Sequence, residues 1–243
     1  MTAVTYLRYE VLRNFRTWQF VFFSLAWPLI VFFTVAGPNR QATFIGIPFP
    51  VYFMSGMAAQ GAMVAVVSRG SLIANERTAG WTRQLRITPL STVTYFTAKV
   101  VCGYLMALLT IAALCAAGTT LGVHLSAGGW LTMVGLLLAG LIPFAVLGIL
   151  LGHLLSPESL LPAVGGLTVL FALLGGAYGL QVATSGPMFD VIKGLPSYWL
   201  VQASKAALGG GGWPAEGWIV IAVWTAVLTP LAVLAYRRDT SRV

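Results

Sequence analysis

Apolar residues in this chain come in long runs rather than in strict alternation, and polar residues gather between the runs. Six stretches, roughly 18–36, 51–67, 100–119, 130–152, 160–180 and 217–236, hold no Asp, Glu, Lys or Arg. A helix needs about 20 mostly apolar residues to cross the hydrocarbon core of a bilayer. The pattern therefore predicts six membrane-spanning helices, the third reaching back to about 93, in one all-α polytopic domain over 1–243. No small-residue cleavage site follows the first run, so it is expected to be a retained span.

Between the runs the periodicity changes. Val4, Leu7, Val11, Phe15 and Trp18 recur three and four apart while Arg8, Arg13, Asn14 and Arg16 take other faces. Residues 2–17 thus read as a basic amphipathic helix lying in the membrane interface, or as a helical extension of the first span. Pro28, Pro143, Pro162 and Pro230 predict kinks inside spans. The second span is rich in small residues (Ser55, Gly56, Ala58, Ala59, Gly61, Ala62, Ala65), which let helix backbones approach closely within lipid. The fifth carries Gly165, Gly166, Gly175 and Gly179. The stretch 181–216 reads as an outer segment, with 197–208 either a short helix dipping into or lying on the outer leaflet, or part of a folded loop. Phe189, Tyr198, Trp199 and Trp213 in it suit the headgroup level.

Composition narrows the picture further. Hydrophobic residues make up 58% of the chain and charged residues 8%, far from the balance of a soluble domain. The net charge of +8 follows topology rather than nucleic acid. Arg8, Arg13, Arg16, Arg69, Arg77, Arg83, Arg86, Lys99, Arg237, Arg238 and Arg242 fall on one side of the predicted spans, and only Arg40, Lys193 and Lys205 on the other. Basic residues concentrate in cytoplasmic loops, so both termini are expected inside. Cys102 and Cys115 stand about 20 Å apart on one helix and read as packing residues. No phosphate-binding Gly-rich loop, metal-ligand cluster or assembled triad is present in the sequence. Ionisable residues are missing from the span interiors, which disfavours proton or sodium coupling. Tyr52, Met57, Gln60 and Tyr178 are the candidates for a substrate path. His153 reads as an interfacial residue, or less readily as a proton relay.

The loop 68–94 is the most elaborate polar segment, with Arg69, Glu76, Arg77, Arg83 and Arg86 around Trp81. Trp81 and Leu85 are one helical turn apart and can share a face, while Gly80 and Pro89 break the backbone on either side. A short helix with an aromatic anchor and arginines suits a groove on a partner protein. Ser156, Pro157 and Glu158 form a helix-start arrangement in a second, smaller connection on the same side.

The segment NERTAGWTRQLRITPLSTVTYFTAK (75–99) resembles the connection between the second and third spans of type-2 ATP-binding-cassette exporter permeases. Glu76, Arg77, Gly80, Trp81, Leu85, Thr88, Pro89, Leu90, Ser91 and Lys99 carry the resemblance. Trp81 stands where a Thr or a smaller hydrophobic residue is more usual. The resemblance implies a bacterial inner-membrane permease subunit of a drug- or antibiotic-exporter type. Such a subunit pairs with a second permease copy and with two copies of a separate ATPase. ATP and Mg would bind the ATPase, with no cofactor and no catalysis on this chain. It makes 75–91 a cytosolic coupling helix, with Ser156, Pro157 and Glu158 at a lesser contact. Gly175 and Gly179 become candidates for an interface between copies through the first and fifth spans. The apolar span interiors favour a hydrophobic or amphipathic cargo over a polysaccharide or glycolipid. A membrane scaffold without transport is the alternative from another class.

Overall fold

The computed structural model describes residues 10, 18–44, 46–80, 91–179, 185–209 and 212–240. Helix α1 joins Trp18–Val21, a π-helical turn Phe22–Ala26 and Trp27–Ala36. A short hairpin follows, in which β1 (Thr43–Phe44) pairs antiparallel with β2 (Ile47–Pro48). Next come α2 (Phe49–Ser71), α3 (Ile73–Thr78), α4 (Thr92–Thr120), α5 (Ala127–Gly140), α6 (Ile142–Leu154) and α7 (Pro157–Leu174). The order ends with α8 (Pro187–Lys193), α9 (Pro196–Gly209) and α10 (Ala215–Thr240). Among the described residues, five helical runs are long and apolar enough to cross a membrane: Phe49–Thr78, Thr92–Thr120, Ala127–Leu154, Pro157–Leu174 and Ala215–Asp239. Phe22–Ala36 is a shorter apolar helix. The chain is an all-α polytopic membrane protein.

Helix α2 stands at the centre, its apolar stretch wholly buried, with α1, α4, α6, α7 and α9 packed around it. Its small residues explain that position. A Cβ on Gly61 would lie 2.4 Å from the Ser24 carbonyl oxygen of α1 and 2.6 Å from the Thr110 methyl of α4. One on Gly70 would lie 2.5 Å from the Gly148 carbonyl carbon of α6, and one on Gly148 would lie 2.5 Å from the Val67 oxygen. Without a hydrophobic drive between helices in lipid, this backbone proximity supplies the dispersion contact that holds them together. Ser24 is the middle residue of the π turn, Pro28 has no N–H to offer its carbonyl four residues back, and Gly61 lets α2 lie against that carbonyl.

Two spans differ from the sequence pattern at their ends. The fourth is broken at Leu141 into α5 and α6, with Pro143 in the first turn of α6. The fifth was expected over 160–180, yet α7 begins at Pro157 and stops at Leu174. The stop is a Schellman closure: Ala177 N–H reaches the Ala172 carbonyl, Gly176 N–H reaches that of Leu173, and Gly176 takes φ +82°. Apolar composition continues past 174, but glycine in the left-handed region ends the helix.

At this end of the bundle α9 packs inward. Leu200, Val201 and Ala203 are buried, and the Ser55 hydroxyl of α2 donates to the Val201 carbonyl at 3.2 Å. Trp199 and Trp213, expected at the headgroups, are buried in the protein. The Trp199 indole N–H donates to the Lys193 carbonyl at 2.8 Å, and its ring lies over Gly217. A buried indole needs such a partner, and the end of α8 provides it.

Candidate functional site

The opposite end of the bundle, where the basic residues gather, is organised around Glu76 and Arg77. Past Ser71 the chain turns at Leu72 and resumes as α3, which Ile73 fixes by packing on Tyr95 and Ala98 of α4. This places two adjacent charged residues at different anchors. Glu76 accepts from the Tyr95 hydroxyl and pairs with the Lys99 ammonium at 2.5 Å. The same ammonium pairs with Glu10 at 2.5 Å, and Lys99 is 1% exposed. Tyr95 and Lys99 are four apart at the start of α4, so one helical face presents both.

Arg77 turns the other way. Its guanidinium donates to the Gly152 carbonyl at 3.2 Å and the His153 carbonyl at 2.7 Å, at the end of α6. These are carbonyls that a helix C-terminus leaves without intrahelical donors, and they carry the negative end of its dipole. Arg77 Nε also meets Asp239 of α10 at 2.8 Å, and the same carboxylate oxygen lies 3.1 Å from His153 Nδ1. Phe96 and Tyr236 pack edge-on around the imidazole. Glu76 and Arg77 together therefore tie α3 to α4, α6, α10 and Glu10.

Beyond Arg77 the helix closes at Gly80, whose N–H reaches the Arg77 carbonyl and whose φ is +71°. Among the described residues no atom stands within 4 Å of a Cβ built there, and the positive φ is what calls for glycine. Trp81, Arg83, Leu85, Arg86 and Pro89 lie outside the described residues. The chain re-enters description at Ser91, which caps α4 by accepting from Thr94 N–H at 3.1 Å.

The other expected residues fall elsewhere. Ser156 occupies the cap position of α7 with Pro157 and Glu158 in its first turn, but its hydroxyl meets that of Ser159 at 3.1 Å rather than a backbone N–H. Gly175 and Gly179 are both used inside the chain. A Cβ on Gly175 would sit 2.8 Å from the Ser197 oxygen, and Gly179 takes φ +74° beside Phe49. Tyr52, Met57 and Gln60 are sealed in the core, and the Tyr52 hydroxyl donates to the Gly176 carbonyl at 3.0 Å. Tyr178 is half-buried nearby.

Glu10, Tyr95 and Asp239 were not singled out from the sequence. Tyr95 could have been found from its spacing to Lys99. Asp239, set among arginines after a span, and Glu10, inside a segment read for its arginines, carried no such signal. His153, expected at the rim, lies one residue from the end of α6 and is buried there.

The family described as ABC-2 family transporter protein matches residues 28–234. A relative from Bacillus subtilis (strain 168), named "Putative transport permease YvfS", is 26% identical over 211 residues, covering 83% of this chain and 83% of its own length. No solved structure matches the chain.

Proposed function

The chain belongs to the ABC-2 family of transporter proteins, and from that premise we propose that it exports a hydrophobic or amphipathic compound under the drive of ATP hydrolysis. As a member it is the transmembrane subunit of an ABC transporter, not itself catalytic, and the nucleotide binds a partner ABC ATPase. The cargo class is a drug, antibiotic or lipid taken from the cytoplasm or inner leaflet. Two copies of the chain assemble with two of the ATPase in a bacterial inner membrane, both termini cytoplasmic.

One observation carries the coupling reading: the residues that open the 75–91 segment are bound to several spans at once. Displacement of that segment would pull on α4 through Glu76 and on α6 and α10 through Arg77. In this reading Trp81 and Leu85 fill an apolar groove on the ATPase with Arg83 and Arg86 at the rim, and Ser156, Pro157 and Glu158 make the lesser contact. The experiment is to purify the chain with its ATPase, reconstitute the complex, and measure cargo-stimulated ATP turnover. Truncating a central aromatic anchor costs on the order of 2 kcal/mol, roughly thirtyfold in affinity. Trp81→Ala should release or uncouple the ATPase while the permease stays inserted. Full binding and stimulated turnover in that variant would defeat the proposal.

A further inference from the structure

Helix α10 gives a depth scale for the end of the bundle away from Glu76 and Arg77. Its 26 residues rise about 39 Å, and about 20 of them cross the hydrocarbon core. With Arg237 and Arg238 at one headgroup level, the other falls near Glu216. Trp224 stands about 12 Å further in along the helix. Its indole N–H donates to the Gly194 carbonyl at 2.7 Å. A helical side chain leans toward its own N-terminus, so Gly194 lies somewhat above Trp224 but still below the headgroups.

The neighbours of α9 agree. Leu200 lies against Gly140, where the fourth span breaks, and the Ala207 carbonyl lies against Gly129 near the start of α5. Helix α9 therefore climbs away from the break, and the junction of α8 and α9 at Gly194 and Leu195 is its deep end.

The chemistry of this deep end does not suit lipid. Gly194 is exposed backbone between two helices. Lys193 adjoins it, and Asp190 is one turn away, about 6 Å along α8. Their side chains are 36% and 77% exposed, and the two charges stand 4.0 Å apart. Lys99 is enclosed by protein, and these two residues are not. At membrane depth, irregular backbone and charges that protein does not bury are tolerated where they line water. By contrast Val223, next to Trp224, is 53% exposed and apolar, a surface for lipid to cover.

We propose that the face of α8 carrying Asp190 and Lys193 lines a water-filled recess in the half of the membrane away from Arg77, and that the polar group of an amphipathic compound leaves through it. The exit role rests on the export reading; the recess does not.

Cysteine labelling of the purified chain in lipid nanodiscs, with both faces open to solvent, tests the recess. The background carries Cys102→Ala and Cys115→Ala. A charged methanethiosulfonate attacks the thiolate, which forms in water and not in lipid. Lys193→Cys and Asp190→Cys should react within about tenfold of Arg40→Cys, as exposed thiols do. Val223→Cys, at a similar depth on the apolar surface, should be at least about a hundredfold slower. A Lys193→Cys chain as slow as Val223→Cys would put α8 in lipid and overturn the recess. A Val223→Cys chain as fast as Lys193→Cys would put this level outside the hydrocarbon and overturn it too. Labelling needs neither cargo nor ATPase, so either failure would leave the export reading standing. In the reconstituted complex, a bulky adduct at Lys193→Cys should lower export several-fold. Unchanged export by the labelled complex would remove the exit role, whereas no export before labelling would count against the export reading instead.

Discussion

At Lys99 three parts of the chain meet on one ammonium: the first turns of α4, Glu76 of α3, and Glu10. Two carboxylates and a cation, all so far from water, pair with one another, and Tyr95 donates to Glu76. Removing one member of a buried ion pair costs about 3–5 kcal/mol, because the remaining charge stays uncompensated. Lys99→Ala should therefore lower unfolding stability in detergent by that order. Tyr95→Phe removes one hydrogen bond to a charged acceptor and should cost about 1.5–3 kcal/mol. Arg77→Ala breaks a pair that is a quarter exposed and should cost less than Lys99→Ala. Denaturant titration of the three variants checks the order, and equal losses would contradict it. The sequence marked Glu76, Arg77 and Lys99 through their motif. It could not tell that Glu76 and Arg77 diverge, because that depends on where α6 and α10 end.

At the level of the helices, the apolar runs were legible because hydrophobic length is a one-dimensional property. The breaks were less so. The stop at Leu174 rests on Gly176 in the left-handed region, and Gly175 and Gly176 lie inside an otherwise unbroken apolar run. Small residues in α2 announced close packing but not its partners, since which backbone approaches which is decided by three-dimensional topology. That contact can be tested directly. At Gly148 a side chain would meet the Val67 backbone of α2, whereas at Gly135 in α5 no atom stands within 4 Å. Backbone cannot give way as a side chain can, so Gly148→Leu should cost on the order of 3 kcal/mol. Gly135→Leu should be close to neutral. Folded yield and thermal aggregation of the two variants provide the comparison. Parity between them would mean that α2 and α6 do not depend on this approach.

For the whole molecule, the proposed pairing of two copies would have to use an apolar surface that lipid otherwise covers. The described faces of α1 and α7 that point away from the bundle are the ones to test. Phe23, Trp27, Ile30 and Phe33 are exposed along α1, and Leu161, Val169, Leu170 and Leu173 along α7. On α7 the same face carries Gly165 and Gly166, where a Cβ would meet nothing within 4 Å. Adjacent glycines inside a membrane helix, with no neighbour among the described residues of their own chain, leave a shallow groove where another backbone could lie. Gly175 and Gly179 cannot serve as the test positions, because Leu at either would disturb the Ser197 contact or the left-handed turn first. Gly166→Leu should leave the monomer fold intact and weaken self-association, since a branched side chain would hold the second helix away. Arg40→Cys and Asp190→Cys, both exposed, should be labelled by an impermeant thiol reagent from outside the cell if the termini are cytoplasmic. Lys205, half-buried on α9, is a poorer reporter. Pull-down between differently tagged copies in mild detergent measures the first effect. If Gly166→Leu associates as the wild type does, the α1–α7 interface is wrong. The coupling proposal would survive that outcome, because it rests on Glu76 and Arg77 within one chain.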